Sequence, residues 1–259
     1  MKKYRTSSRI ILKTSQEIEL MRHANRIVAE VLEELSRVIQ PGMTTDELDR
    51  IAEEGIRKRS ATPAFKGYRG FPATLCISIN SEVVHGIPSP FRIIADGDVV
   101  SMDLGARYEG YHGDSAITVI VGTSHNPVAP LLLDVTKRAL FKGIEQALPG
   151  SHLQDISAAI QEEVEGAGFS IVKKFVGHGI GRSLHEPPEV PNYGRRAHGP
   201  LLREGMTIAI EPMVNAGGGD VKVLPDGWTV VTQDGSLSAH FEHTIAITQN
   251  GPEILSIAS

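Results

Sequence analysis

Gly97-Asp98-Val99-Val100-Ser101-Met102-Asp103 is an apolar run ending on a carboxylate, and Gly205-Met206-Thr207-Ile208-Ala209-Ile210-Glu211 repeats that plan 108 residues later. Both runs have the length and composition of buried β-strands. Each is followed by a second strand-like run that opens on an acid. In the first half this is Asp114-Ser115-Ala116-Ile117-Thr118-Val119-Ile120-Val121-Gly122, and in the second Glu242-His243-Thr244-Ile245-Ala246-Ile247. Each half is therefore expected to offer one acid leaving a strand and one entering the next. Acids that merely cap turns would have no reason to repeat at a fixed spacing.

The repeat extends outward from these strands. Ile18, Met21, Ile27, Val28, Val31, Leu32, Leu35 and Val38 have helical spacing over residues 15–39, and Pro41-Gly42 closes that helix. Thr45 with Asp46 is the expected cap of a second helix running to about Ser60. Residues 131–148 read as another helix, closed by Pro149-Gly150, and a fourth is expected from Leu153 to about Gly166. Pro41 to Pro149, Gly97 to Gly205 and Asp103 to Glu211 share one offset of 108 residues, the mark of an internal duplication. Asp114 to Glu242 is longer by 20, so the second half carries an insertion. The predicted fold class is α+β, one domain over residues 11–259 with pseudo-repeat halves at about 11–122 and 127–251. Residues 1–10 are expected to be a flexible basic extension.

Both acid pairs are expected to flank hairpins. Glu109-Gly110 marks the first turn, and Asp226-Gly227 is a strong two-residue turn signal in the second. With Asp226 and Gly227 central and no bulge, Glu211 falls directly across from Glu242. Facing residues hold their Cβ atoms about 5 Å apart, so two carboxylates there repel unless a cation lies between them.

The net charge of −5 gives no general pull toward nucleic acid or membrane. Cys76 is the single cysteine, which excludes an intrachain disulfide framework and points to a reducing compartment. Any metal must then be held by oxygen and imidazole, a set that suits Mn, Fe, Co or Zn. The basic start, Met1-Lys2-Lys3-Tyr4-Arg5, precedes no apolar stretch of signal or membrane-spanning length. The expected location is the cytoplasm.

Asp103, Asp114, His178, Glu211 and Glu242 together read as the ligands of a two-metal centre. Four carboxylates and a neutral imidazole carry a charge that two divalent ions balance, and such a pair can acidify a shared water for hydrolysis. His178 lies in Phe175-Val176-Gly177-His178-Gly179-Ile180-Gly181-Arg182-Ser183-Leu184-His185-Glu186, too broken for a helix, with glycines that permit close backbone approach. His85 sits between an apolar strand and the Gly86-Ile87-Pro88 turn. His23, His125, His152 and His198 read as surface or helix-face residues.

Cys76-Ile77-Ser78-Ile79-Asn80, His85-Gly86-Ile87-Pro88, Gly177-His178-Gly179-Ile180-Gly181-Arg182, Glu211-Pro212-Met213 and Phe241-Glu242-His243-Thr244 closely resemble the type I methionine aminopeptidases, over nearly the whole chain from about Ile11. The resemblance implies the pita-bread fold, two pseudo-symmetric halves about a curved antiparallel sheet with outer helices. It implies metal-dependent removal of the initiator methionine from nascent proteins, with a water bridging two Co, Mn, Fe or Zn ions as nucleophile. In the roles it implies, Asp114 and Glu242 bridge both ions, Asp103 binds one, and His178 with Glu211 completes the other. Glu211 also shuttles the proton. His185 polarises the scissile carbonyl and His85 faces the scissile nitrogen. Tyr68, Phe71, Cys76, Leu184 and Trp228 match the methionine pocket, with ordinary core packing as the alternative for each.

Three positions depart from the family pattern. Leu184 stands where Phe is common, Phe71 where Tyr is common, and Gly105 where some members carry Thr near the metal. The chain also shows neither an N-terminal zinc-finger extension nor the long insertion of the type II enzymes, so a short bacterial or organellar form is expected. A prolidase or aminopeptidase P shares the ligand types, and a non-catalytic binding protein could keep the fold. The partners expected are N-terminal Met-peptide substrates, and the expected state of the protein is a monomer. For Lys2, Lys3, Arg5 and Arg9, a solvated terminus is the simpler expectation and transient contact with ribosomal RNA the alternative.

Overall fold

The computed structural model describes residues 9–258, so the expected basic extension lies almost wholly outside the described residues. Four helices carry the repeat: α1 (Ser15–Val38), α2 (Thr45–Lys58), α3 (Val128–Glu145) and α4 (Leu153–Gly166). The last matches the sequence reading at both ends. α2 begins one residue after its true cap, Thr44, whose hydroxyl accepts the Glu47 N–H while Glu47 accepts the Thr44 N–H. That reciprocal capping box, rather than Thr45 with Asp46, starts the helix. α3 starts and stops three residues earlier than the expected 131–148. Asn126 Oδ1 accepts the Val128 N–H and Pro127 supplies a helix-ready φ at the start. At the other end Ala147 is buried in the core without being helical, which is why apolar periodicity overshot.

The duplication is present in the hydrogen bonding. Gly42 N–H donates to Ile94 O, and 108 residues on Gly150 N–H donates to Leu202 O, both at 2.8 Å. The isolated bridges Thr44↔Ile93 and His152↔Leu201 are related by the same shift. Each half has its own apolar core. Leu32, Leu48, Ile77 and Met102 belong to the first, and Leu132, Ile156, Ile208 and Ile245 to the second.

All strand pairs are antiparallel, and the nine-stranded sheet joins the two halves where Tyr111–Ile120 lies beside Glu242–Thr248. Outward from this seam come Val99–Tyr108 on one side, and Thr207–Ile210 then Gly177–Gly179 on the other. In the first half the acids do not stand at strand ends. Val99–Tyr108 and Tyr111–Ile120 run without interruption to the Glu109-Gly110 turn, with φ of 49° and 85° there, so Asp103 faces Ala116 and Asp114 faces Gly105 in mid-ladder. A two-residue turn with both φ positive matches the strand twist and lets the ladder close completely.

The second half keeps the expected register along its whole length. Ile210 faces His243, Met213 faces His240 and Val223 faces Val230. Glu211 and Glu242 are bracketed by the first two pairs and so stand opposite each other. The arm changes sheets twice, because Pro212 cannot donate to a ladder and the glycine-rich stretch near residue 218 does not form one. Its tip is wider than the expected two-residue turn: Leu224 N–H donates to Thr229 O, and Asp226 Oδ1 accepts the Trp228 and Thr229 N–H groups.

Candidate metal centre

A cavity of about 260 Å³ opens on the sheet at the seam between the halves. Asp103, Asp114, His178, Glu211 and Glu242 all line it, as do His85, His185, Tyr68, Phe71, Cys76, Leu184 and Trp228. Every residue singled out from the sequence therefore faces one space.

The strands explain the placement of the polar wall. Asp114 and Glu242 enter from the two strands that meet at the seam, locked together by Thr244 Oγ1 donating to Asp114 O and Ser115 Oγ donating to Glu242 O. His178 enters from Gly177–Gly179, whose flanking glycines have no room for a side chain. A Cβ on Gly177 would stand 2.3 Å from Ala209 O, and one on Gly179 2.2 Å from Pro187 O. His178 Nδ1 lies 3.0 Å from Gly179 O, and donation to that carbonyl leaves the Nε2 lone pair facing the acids. Nε2 is 3.5 Å from Glu211 Oε1 and 3.8 Å from Asp114 Oδ2, too far for good hydrogen bonds. One ligand atom each of Asp114, His178 and Glu242 lies within 4.8 Å of the other two.

These carboxylates are poorly served by protein alone. Asp103 Oδ1, Asp114 Oδ1 and Glu242 Oε1 are buried without a hydrogen-bond partner, a costly state for an acid. Burial pushes the Asp103 carboxyl up to about 7. Burial and then mutual repulsion carry Asp114, Glu211 and Glu242 well above the usual carboxylate range. Burial also holds His178 neutral, lowering it to about 4. An acid-rich oxygen set with a neutral imidazole and unused lone pairs fits divalent cations.

The remaining wall divides into auxiliary histidines and apolar surface. His85 has a left-handed φ of 61°, packs edge-on against Phe175 and Trp228, and is lowered by burial to about 4. His185 stands at the cavity mouth, its ring stacked 5.3 Å from that of Tyr68 and tilted against that of His178 at 4.1 Å. Phe71, Cys76 and Leu184 are buried in one apolar cluster, with Tyr68 and Trp228 packed against it. Burial, and then the charge of Asp103, raises the Cys76 thiol well above its ordinary value, so it is an apolar wall rather than a thiolate ligand. Gly105 has no space for the Thr seen in the family pattern. A Cβ there would stand 2.5 Å from Phe65 Cε1, and Phe65 itself lines the cavity.

Sequence reasoning missed Phe65, Phe175, Met213 and His240. His240 is 1% exposed, its Nε2 has no hydrogen-bond partner, and it lies 3.8 Å from Glu211 Oε2. Its position two residues before Glu242 was the available signal, since alternate strand residues share a face. Of the histidines read as peripheral, His23, His125 and His198 are exposed, while His152 is the N-cap residue of α4.

The family model for metallopeptidase family M24 matches residues 19–249. The methionine aminopeptidase of Clostridium perfringens is 56% identical over 248 residues, covering 96% of this chain and 99% of that protein. A crystal structure of the Thermotoga maritima methionine aminopeptidase aligns with a TM-score of 0.94 and 48% identity, over 96% of this chain and 100% of the other. The Pyrococcus furiosus prolidase shares the fold more distantly, with a TM-score of 0.77 and 25% identity over 96% of this chain but 66% of that longer one. The pita-bread architecture expected from the motifs is thus the one found. Sequence and structure together place the chain in metallopeptidase family M24, among its methionine aminopeptidases.

Proposed function

We propose that this protein removes the N-terminal methionine from peptides and nascent proteins by metal-dependent hydrolysis. The observation that carries the reading is the one cavity in which four carboxylates, Asp114 and Glu242 among them buried, and His178 meet an apolar wall. Residues 11–259 act as one catalytic domain. Asp103, Asp114, His178, Glu211 and Glu242 would hold two divalent ions, drawn from Co, Mn, Fe and Zn. The bound ions supply Lewis acidity toward the scissile carbonyl and make a water acidic enough to lose a proton near neutral pH.

The protein's own groups do the rest. Glu211 accepts the proton as the water oxygen adds to the carbonyl carbon, and returns it to the amide nitrogen as the C–N bond breaks. His185, at the cavity mouth, donates to the carbonyl oxygen as negative charge develops there. His85 faces the scissile nitrogen, and Phe71, Cys76, Leu184 and Trp228 enclose the methionine side chain, with Tyr68 at its edge. Leu184 and Phe71 shape the wall without adding a polar group, so methionine remains the favoured side chain.

The substrate is the extended N-terminus of a Met-peptide, and the enzyme works as a cytoplasmic monomer. Arg9 is the one described member of the basic terminal set, and Lys2, Lys3 and Arg5 lie outside the described residues. Pelleting with ribosomes, with and without residues 1–10, tests the transient contact. The central test is release of methionine from Met-Ala-Ser by protein loaded in turn with each metal. Glu211→Gln is expected to lower kcat by about 10²-fold or more. Cleavage of Xaa-Pro dipeptides with no action on Met-Ala-Ser would assign the chain the prolidase reaction instead.

A further inference from the structure

Gly181–Glu186 is the segment that carries Leu184 and His185 to the cavity, and residues of the first half tie it down. Lys13 Nζ lies 2.6 Å from Glu186 Oε2, with 4% and 6% of the two side chains exposed. Lys13 is itself anchored, its backbone N–H donating to Gly205 O at 2.7 Å immediately before the Thr14 cap of α1. The second carboxylate oxygen, Glu186 Oε1, accepts the Ser183 N–H at 3.1 Å. Gly181 closes the turn by donating to Ser183 O, and accepts the His112 N–H at 2.9 Å. The pair fills the space inside this turn. A Cβ on Gly181 would stand 2.5 Å from Lys13 Cε and 2.8 Å from Glu186 Oε1.

Burying two opposite charges is an expensive way to pack a loop, and well-fitted apolar residues do as well or better for stability. What an ion pair adds is direction, because it is satisfied in one geometry. The two residues before Glu186 differ in how much they need that direction. Leu184 is buried in an apolar cluster that holds it independently. His185 is exposed in part and, among the described residues, no hydrogen bond holds its ring; it has only the ring contacts with Tyr68 and His178.

We propose that the buried Lys13–Glu186 pair positions His185 for its donation to the scissile carbonyl, which makes Lys13 and Glu186 positioning residues for the reaction proposed above, on which this inference rests. The first half of the duplicated chain thereby sets the geometry of a catalytic group that only the second half supplies.

A double-mutant cycle tests it, using full-length manganese-loaded protein and Met-Ala-Ser. The variant K13M/E186Q removes both charges together, so no buried ion is left unpaired, and the amide oxygen still accepts from Ser183. In the wild-type background kcat is expected to fall about tenfold, the scale of a small misplacement of a reacting group, with KM and manganese affinity within about twofold. In a His185→Ala background the same replacement is expected to have no further effect, since the strap acts through that ring. Lys13→Arg, which keeps the charge, is expected to retain most of kcat. An equal loss in both backgrounds, or an unchanged kcat in the first, overturns the positioning role. Should K13M/E186Q not fold, the charge-conserving Glu186→Asp enters the same cycle with the same expected non-additivity. A wild-type protein inert on Met-Ala-Ser would count against the proposed activity, whereas an active one with additive losses sinks the strap alone.

Discussion

Asp103, Asp114, Glu211 and Glu242 are acids in a place that disfavours acids, and this gives metal binding a pH dependence. Asp103 is raised from 3.8 to about 7 by burial, and the other three are raised well above the usual carboxylate range by burial and then by their mutual repulsion. At these four positions the folded metal-free protein thus holds protons that the unfolded chain has released from about pH 4 upward. Their contribution to its stability is expected to fall as pH rises through that window, and to stay low above it. A divalent ion displaces those protons and removes the repulsion. The rise in Tm on adding manganese to chelator-stripped protein is therefore expected to grow from pH 5 to pH 8; a constant or shrinking increment would contradict it. All four acids were legible in the sequence because their spacing repeats, and His178 because of its glycines. Phe65 was not, because contacts across the fold place it at the cavity, and for His240 the alternation with Glu242 was the one local signal.

The helices came through from sequence most faithfully, since a 3.6-residue period and a terminal Pro-Gly pair are both local properties. Their exact starts were harder, because a capping box is read from which hydroxyl actually closes it. At α2 that hydroxyl belongs to Thr44, and the equivalent site in α4 is His152, whose N–H donates to Asp155. Thr44→Ala is expected to cost about 1 kcal/mol, measured by urea denaturation of the metal-loaded protein, with kcat on Met-Ala-Ser unchanged. The first hairpin was read as one strand ending at Asp103 and another opening at Asp114, and is in fact one unbroken ladder from Val99 to Ile120. An acid within an apolar run looks like a boundary in sequence, whereas here the ladder passes through it because its side chain points into the cavity.

On the scale of the whole molecule, the two halves repeat their helices, turns and cores but divide the chemistry unequally. The first supplies Asp103, Asp114 and the anchors of the Gly181–Glu186 turn, and the second supplies His178, Glu211, Glu242 and the long arm. The duplication was legible because its offset survives in sequence; the tie between the halves at Lys13 and Glu186 was not, since it joins distant stretches. The arm's unshifted register has one further consequence, for chain length. Ala216 N–H donates to Leu237 O and Gln233 N–H to Asp220 O across it, so the stretch holding Gly218 and the stretch holding Gly235 span equal numbers of residues between the two bonds. Removing Gly218 alone must slide one strand past the other, and is expected to weaken manganese binding in a calorimetric titration by turning an acid from its partner. Removing Gly218 and Gly235 together should leave manganese binding intact and raise KM, because Trp228 at the tip withdraws by about one strand residue, ~3.4 Å. Insertions and deletions in this arm are thus subject to a parity rule: matched changes alter what the enzyme accepts, and unmatched ones alter whether it can catalyse at all.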